Sequence, residues 1–398
     1  MKKLLAAALC LCMILCAAGC SSQGDIPPDS KSTTAPNLII DSPPEPFHPE
    51  DLAQPMHAIV LPSVTETVLA EDGAELFRMT YQKAQLILNG TDVEDIITGD
   101  LQSRMGRVIS DAADIEALAQ ADYPEAENWS AYFVSVGYTP TRLDQAVMSL
   151  FGNLSSYSGG PHPSLVTDSV TYDLKTGEVL TLDKIFREDC TGEALSALII
   201  SSLDDVKDEL YYDYDTVLKD RFSGDLRSIT DWYFSRNGLC FHFSPYDIAP
   251  YSSGTVIAEI TYSNLSGVLL EQYLPVPIED ATGSIYAESY LQDDDERFTF
   301  TADVIVDDNG SDVLIYSDAT VTDVRIETGT WYSDGSQYAA TSTIFAADSV
   351  GIGNAIRLRA DLTDEDTVFR LVYRSGDREV SAFIVYDESG DSILLAHG

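Results

Sequence analysis

Seven residues near the middle of the chain, Tyr157-Ser158-Gly159-Gly160-Pro161-His162-Pro163, can follow few paths. Paired glycines permit positive φ and two prolines fix the exit, so the segment is a rigid, defined loop rather than a tether. Strand-like alternation lies on both sides of it, and Tyr172-Asp173-Leu174-Lys175-Thr176-Gly177-Glu178 follows shortly after. The loop presents one histidine and one tyrosine. That composition specifies no reaction, so function has to be argued from what surrounds it.

Residues 64–81 read as a β-hairpin turning at Glu71-Asp72-Gly73. Thr91-Asp92-Val93-Glu94 has the form of a capping box, and Val93, Ile96, Ile97, Leu101, Val108 and Ile109 recur behind it at helical spacing. Tyr132, Val134, Val136 and Tyr138 alternate as in a half-buried strand, with residues 142–157 as its neighbour. Beyond the loop, residues 165–174 form a strand. Thr191 is placed to cap a second helix whose stripe is Leu195, Leu198, Ile199, Leu203, Val206 and Leu210. Asn237-Gly238 is a strong hairpin signal between residues 232–236 and 239–243, and residues 255–262 close the sheet. Helices and strands come in runs, which predicts an α+β domain over residues 58–279, a mainly antiparallel sheet with two packed helices.

The style changes near residue 280. Phe298, Phe300, Val304 and Val306 alternate, Asp308-Asn309-Gly310 turns, and residues 313–316 return. Ile356, Leu358, Ala360 and Leu362 interleave with Arg357, Arg359 and Asp361. Short strands without a helical stripe predict a β-sandwich-like domain over residues 280–398. Asp293-Asp294-Asp295-Glu296 lacks the spacing of an EF-hand loop and reads as a solvated linker.

The N-terminus carries an export signal over residues 1–19. Lys2 and Lys3 form a basic start, and residues 4–16 are apolar but too few to span a bilayer. Ala17-Ala18-Gly19-Cys20 follows, and this pattern resembles the lipobox of bacterial lipoproteins, in which the cysteine is acylated after cleavage. Leucine is more usual where Ala17 stands, and a plainly cleaved signal with an incidental cysteine is the alternative. Lipidation of Cys20 implies a protein outside the cytoplasm, held on the bacterial cell membrane by lipid alone. Residues 20–57 are rich in Ser, Pro and Asp, cannot bury a core, and read as a disordered tether.

Loss of residues 1–19 removes Lys2, Lys3 and no acid, so the formal charge goes from -42 to -44. Such an excess of acid excludes nucleic acid as a partner and favours basic ones. After processing, Cys190 and Cys240 remain beside Cys20. They could join across a long loop, but a chain this poor in cysteine has no need of staples, which favours two thiols. No CxxC pair, HExxH, GxSxG or phosphate-loop motif occurs, so neither a metal, a cofactor nor a catalytic residue is assigned. His242 lies between Phe241 and Phe243, and alternation puts it on the opposite, solvent-facing side. Tyr157, Trp232, Tyr246 and Tyr251 are either core aromatics or a stacking surface for a sugar or a protein. Beside a rigid Gly159-Gly160 loop carrying His162, a stacking surface would suit ligand binding.

Residues 58–275 resemble the extracellular domain of the lysozyme-sensing anti-sigma factor RsiV and the non-catalytic domain of PdaC-type peptidoglycan deacetylases. The resemblance rests on the order and spacing of four segments: Tyr157 to His162, Tyr172 to Gly177, Leu182-Asp183-Lys184-Ile185-Phe186, and the aromatic stretch from Phe241 to Gly254. It implies an envelope-facing α+β fold without implying one activity. The sigma-binding segment and transmembrane helix of the former are missing here, as is the catalytic domain of the latter. The expectation is therefore a non-catalytic envelope module that binds a lysozyme-like protein or a cell-wall glycan. The alternatives are a peptidoglycan-modifying hydrolase or deacetylase with a cryptic metal site near His162, and a structural envelope protein whose sandwich docks a partner.

Overall fold

The computed structural model describes residues 56–88, 92–125, 128–276, 278, 281–331, 338–364, 366–386 and 392–397. All of them belong to one compact unit, Pro46–Gly398. Thr91 and the lipidation candidate Cys20 lie outside the described residues.

The alternating segments form the strands. A five-stranded sheet has the order β2-β3-β5-β6-β7, from β2 (Ser63–Leu69), β3 (Glu75–Gln82), β5 (Tyr132–Leu143), β6 (Val147–Tyr157) and β7 (Ser164–Asp173). Every pair is antiparallel except β3 with β5, whose parallel pairing needs a long crossover. Helix α1 (Asp92–Asp122) carries it. Asp92, Glu94 and Asp95 in its first turn complement the helix dipole, and Val93, Ile97, Leu101, Met105, Ala112 and Ala119 are buried. The helix runs well beyond the stripe that ends at Ile109, because its later buried positions are alanines, which carry little hydrophobic signal.

Helices α2 (Leu182–Ile185), α3 (Gly192–Ser202) and α4 (Tyr214–Phe222) come next. Thr191 caps α3 by accepting the Ala194 N–H at 3.2 Å. The helix ends at Ser202 with buried Leu203 as its C-cap, short of Val206, which is exposed. These helices share a core with a three-stranded sheet of order β10-β9-β8: β8 (Trp232–Phe234), β9 (Gly238–Phe243) and β10 (Val256–Thr261). The β8–β9 turn is not the positive-φ type its Asn-Gly implies. Ser235 Oγ accepts the N–H groups of Asn237 and Gly238, and a Cβ at Gly238 would lie 2.0 Å from the Ile260 carbonyl oxygen. The outer edge of β8 is closed by hydroxyls of the larger sheet. Ser149 Oγ accepts the Phe234 N–H at 2.8 Å, Thr141 donates to Phe234 O at 2.7 Å, and Ser169 donates to Trp232 O at 2.8 Å. An unpaired strand edge would otherwise leave these groups unsatisfied.

The remaining strands build a sandwich. One layer has the order β11-β13-β16-β12, from β11 (Ile285–Ser289), β12 (Thr299–Ile305), β13 (Ser311–Ser317) and β16 (Asn354–Ala360). Residues 299–305 and 311–317 are thus not direct neighbours, because β16 lies between them. Ile356, Leu358 and Ala360 point into the core, while Arg357 and Arg359 pair with Asp303 and Asp312 on the outer face. The other layer is seven-stranded, β19-β18-β17-β14-β15-β1-β4. It comprises β14 (Val321–Trp331), β15 (Tyr338–Val350), β17 (Val368–Ser375), β18 (Arg378–Tyr386) and β19 (Ile393–His397), together with β1 (His57–Val60) and β4 (Gln85–Leu88). Sheet pairing therefore runs across residue 280. By strand alternation β1 serves two cores: Ala58 and Val60 face the sandwich, Ile59 faces α1 and the five-stranded sheet.

Three details differ from the expectations or settle them. Asp293-Asp294-Asp295-Glu296 is a 3₁₀ turn rather than a solvated linker. Asp294 is 2 % exposed and accepts from Leu291 N at 2.7 Å and Arg297 Nη1 at 2.6 Å. Cys190 and Cys240 are both free thiols. The fold class is α+β, mainly antiparallel, with a sandwich-like C-terminal region.

Candidate functional site

The loop after β6 is held from both ends. Gly159 and Gly160 take φ of +91° and +106°, and Tyr157 Oη donates to Gly160 O at 3.1 Å. A Cβ at Gly159 would lie 2.8 Å from Tyr132 Oη, whereas one at Gly160 would meet nothing within 4 Å. Tyr132 in turn donates to Asp122 Oδ2 at 2.8 Å, tying the loop to the end of α1. Tyr157 packs edge-on against Tyr132 at 5.8 Å and stacks with Phe133 at 6.1 Å. It belongs to an aromatic row that supports the loop from behind.

On the other side the loop carries a ledge. His162 stacks on Tyr251 with centroids 4.2 Å apart and planes at 28°, and Tyr246 lies next in line at 5.7 Å and 34°. One carbonyl locks the pair: Pro163 O accepts from Tyr251 Oη and from His162 Nδ1, both at 2.9 Å. The second bond makes Nδ1 the protonated nitrogen and leaves Nε2 as an acceptor in the neutral ring. Tyr246 is 60 % exposed and has φ of +77°, a region bulky residues seldom enter. A tight turn holds it there, with Tyr246 N donating to Ala249 O and Ser244 N to Asp247 Oδ2, each at 3.0 Å. Backbone strain of this kind costs roughly 1–3 kcal/mol and persists only where the surroundings impose it.

Beneath the ledge lies a chain of polar groups. His242 is 1 % exposed and does not face solvent as alternation implied, because the side of β9 opposite Phe241 and Phe243 is covered by β7. His242 Nδ1 is 2.8 Å from Thr167 Oγ1 and Nε2 is 2.8 Å from Ser169 Oγ. Ser169 spends its proton on backbone carbonyls, so Nε2–H donates to it and Nδ1 accepts from Thr167. Thr167 Oγ1 also lies 3.0 Å from Ser244 Oγ, which begins the turn that carries Tyr246. Burial lowers the His242 pKa, against the opposing pull of the Asp231 and Asp168 carboxylates. Nearby, Arg221 pairs with Asp231 and lies 5.5 Å over the Phe243 ring.

Of the sequence candidates, His162, Tyr246 and Tyr251 converge on one surface, and Gly159 and Gly160 position it. Tyr157 is a support. Trp232 is 3 % exposed, edge-on to Phe234 at 5.6 Å in the core, and is not part of a binding surface. The sequence reading missed the hydroxyl row. Its signal was Thr167, Ser169 and Thr171 at two-residue spacing in one strand, all buried. Among the described residues no group of three or more His, Cys, Asp or Glu is arranged to hold a metal ion. Three stacked, partly exposed rings can pack against the apolar face of a sugar or against aromatic and guanidinium groups of a protein.

Residues 183–263, which contain β8, β9 and the Tyr246–Tyr251 half of the ledge, match the model of a family described as a protein of unknown function, DUF3298. No curated protein matches the chain. Among solved structures, a DUF3298 family member from Bacteroides fragilis NCTC 9343 is similar at 20 % identity and a TM-score of 0.42, over 55 % of this chain and 96 % of that one. A DUF3298 family protein from Pseudomonas aeruginosa PAO1 is similar at 14 % identity and a TM-score of 0.36, over 55 % and 97 %.

Proposed function

We propose that this protein is a non-catalytic binding module of the bacterial cell envelope, anchored by lipid at Cys20. On this reading it captures a cell-wall glycan or a lysozyme-like protein at the His162–Tyr251–Tyr246 ledge. The observation that carries the reading is the ledge itself: three partly exposed rings in a stacked row, two of them fixed by one carbonyl, on a loop braced from behind. Rigid aromatic surfaces lose little entropy on binding. The formal charge of -42 supports the protein ligand, since lysozymes of the kind the sequence resemblance implies are basic, and steering between opposite charges weakens with salt. Neutral glycan binding would be indifferent to salt.

The test is calorimetric titration of the mature chain carrying Cys20→Ser with hen lysozyme and, separately, with chitooligosaccharides, at low and high salt. Saturable binding that Tyr246→Ala and Tyr251→Ala weaken at least tenfold supports the site, and the salt response identifies the ligand class. Absence of binding to either at high micromolar concentration refutes the reading. Incorporation of labelled palmitate that depends on Cys20 tests the anchor.

A further inference from the structure

A second site lies under α1. Strands β3 and β5 are paired only over Phe77–Thr80 and Tyr132–Ser135, after which they part. From there β4 joins β1 in the seven-stranded sheet, and the Gln82 side chain bridges the gap. Its Oε1 accepts the Tyr138 N–H at 2.6 Å and its Nε2 donates to Ser342 Oγ at 3.3 Å. The parting leaves a cavity of about 370 Å³ roofed by the helix. That is the lower end of the range of ligand pockets, roughly 300–1,000 Å³.

The walls are apolar and buried, formed by Leu61, Leu101, Met105, Tyr138 and Leu150. Gln82, the polar group among them, is already engaged at both ends. Polar demand is therefore confined to the rim, where Lys83, Gln102 and Gly106 are exposed. Lys184, Lys207 and Lys219 each sit within 4 Å of a carboxylate. Among the described residues Lys83 and Lys175 have no such neighbour, although the chain carries 65 acidic residues, and of the two only Lys83 lines the cavity. Gly106 weakens the middle of a long helix, yet a Cβ there would meet nothing within 4 Å. Close packing does not require a glycine at that position, and Gly106 leaves this part of the rim without a side chain.

We propose that this cavity binds a single-chain anionic amphiphile, its apolar chain among the Leu and Met side chains and its anionic head on Lys83. An apolar lining with a lysine at its rim favours that combination over a neutral or cationic chain.

The test is titration of the full mature chain (Cys20→Ser) with laurate, dodecanol and dodecylamine below their aggregation concentrations. Laurate should bind one to one and tighter than dodecylamine. Lys83→Glu should weaken laurate at least tenfold and leave dodecanol unchanged. Gly106→Leu, which occludes the mouth, should abolish both without lowering the unfolding midpoint. If that variant is destabilised, Ile109→Phe fills the cavity from the helix side and is read the same way. No laurate binding, binding equal to that of dodecylamine, or binding indifferent to these variants overturns the proposal.

Discussion

Gly159→Ala isolates what holds the loop. At φ of +91° an L-residue costs about 1–2 kcal/mol through clash of its Cβ with its own backbone. Gly160→Ala, at +106° and in open space, incurs the same cost and serves as the control. Gly159 carries a second penalty, because its Cβ would lie 2.8 Å from Tyr132 Oη, whose position is set by its bond to Asp122. Swinging that ring aside forfeits the hydrogen bond, worth about 1–1.5 kcal/mol. Gly159→Ala should therefore destabilise by roughly 2–3.5 kcal/mol in total. In a Tyr132→Phe background the hydroxyl and its bond are already gone, so the same substitution should cost only about 1–2 kcal/mol. The assay is urea unfolding of the four proteins of the cycle plus Gly160→Ala, compared by midpoint at a common slope. If the two glycine variants are equally destabilised, or the coupling with Tyr132 is zero, the bracing of the loop by Tyr132 is refuted.

Acid should unfold the protein partly through His242. Its folded pKa is depressed by burial, so the unfolded chain binds the proton first. The histidine's contribution is complete above the unfolded pKa of about 6.5 and is lost as pH falls toward the lower folded value. The melting temperature of His242→Gln should accordingly fall less between pH 7.5 and 5 than that of the parent; parallel profiles would count against a buried neutral imidazole. Tyr246→Gly should stabilise by about 1 kcal/mol, since glycine accepts φ of +77° without strain, while ligand binding is lost; a lower melting temperature would show that the ring packs more than it strains. Burial, with the Glu259 carboxylate beside it, pushes the Cys240 thiol up to about 12. With Cys20 replaced, a thiol reagent at pH 8 should modify only Cys190 in the native protein and both cysteines in denaturant. Equal native rates would refute the inert Cys240.

Much of the fold was legible because one physical signal dominated locally. Tyr132 to Tyr138 alternate between core and partial exposure, so the two-residue period reads directly as β5. Thr191 is a hydroxyl residue directly before an apolar helical stripe, and it caps that helix. The same logic failed at β9, where all six residues are buried. Periodicity separates two faces but says nothing about what covers the second, and there it is the hydroxyl row of β7 rather than water. The ledge was legible only as composition. His162 comes from one loop and Tyr251 from another far along the chain, and their stacking depends on a single carbonyl that no residue pattern encodes. The cavity under α1 was not legible at all, since it arises where two strands diverge.

The placement of β1 between β4 and β15 governs the order in which the molecule can be completed. His57 N donates to Asp348 Oδ1 across 291 residues of chain. If the chain emerges N-terminus first at roughly 5–20 residues per second, β1 waits about 15–60 s for its second partner. During that interval Ile59 and Leu61 can settle against α1, while Ala58 and Val60 face a sandwich that does not yet exist. Non-local pairing of this kind slows folding and prolongs the exposure of strand edges. The first of the described strands to appear is thus among the last to be locked in, and a protein truncated before residue 338 would leave it permanently half-paired.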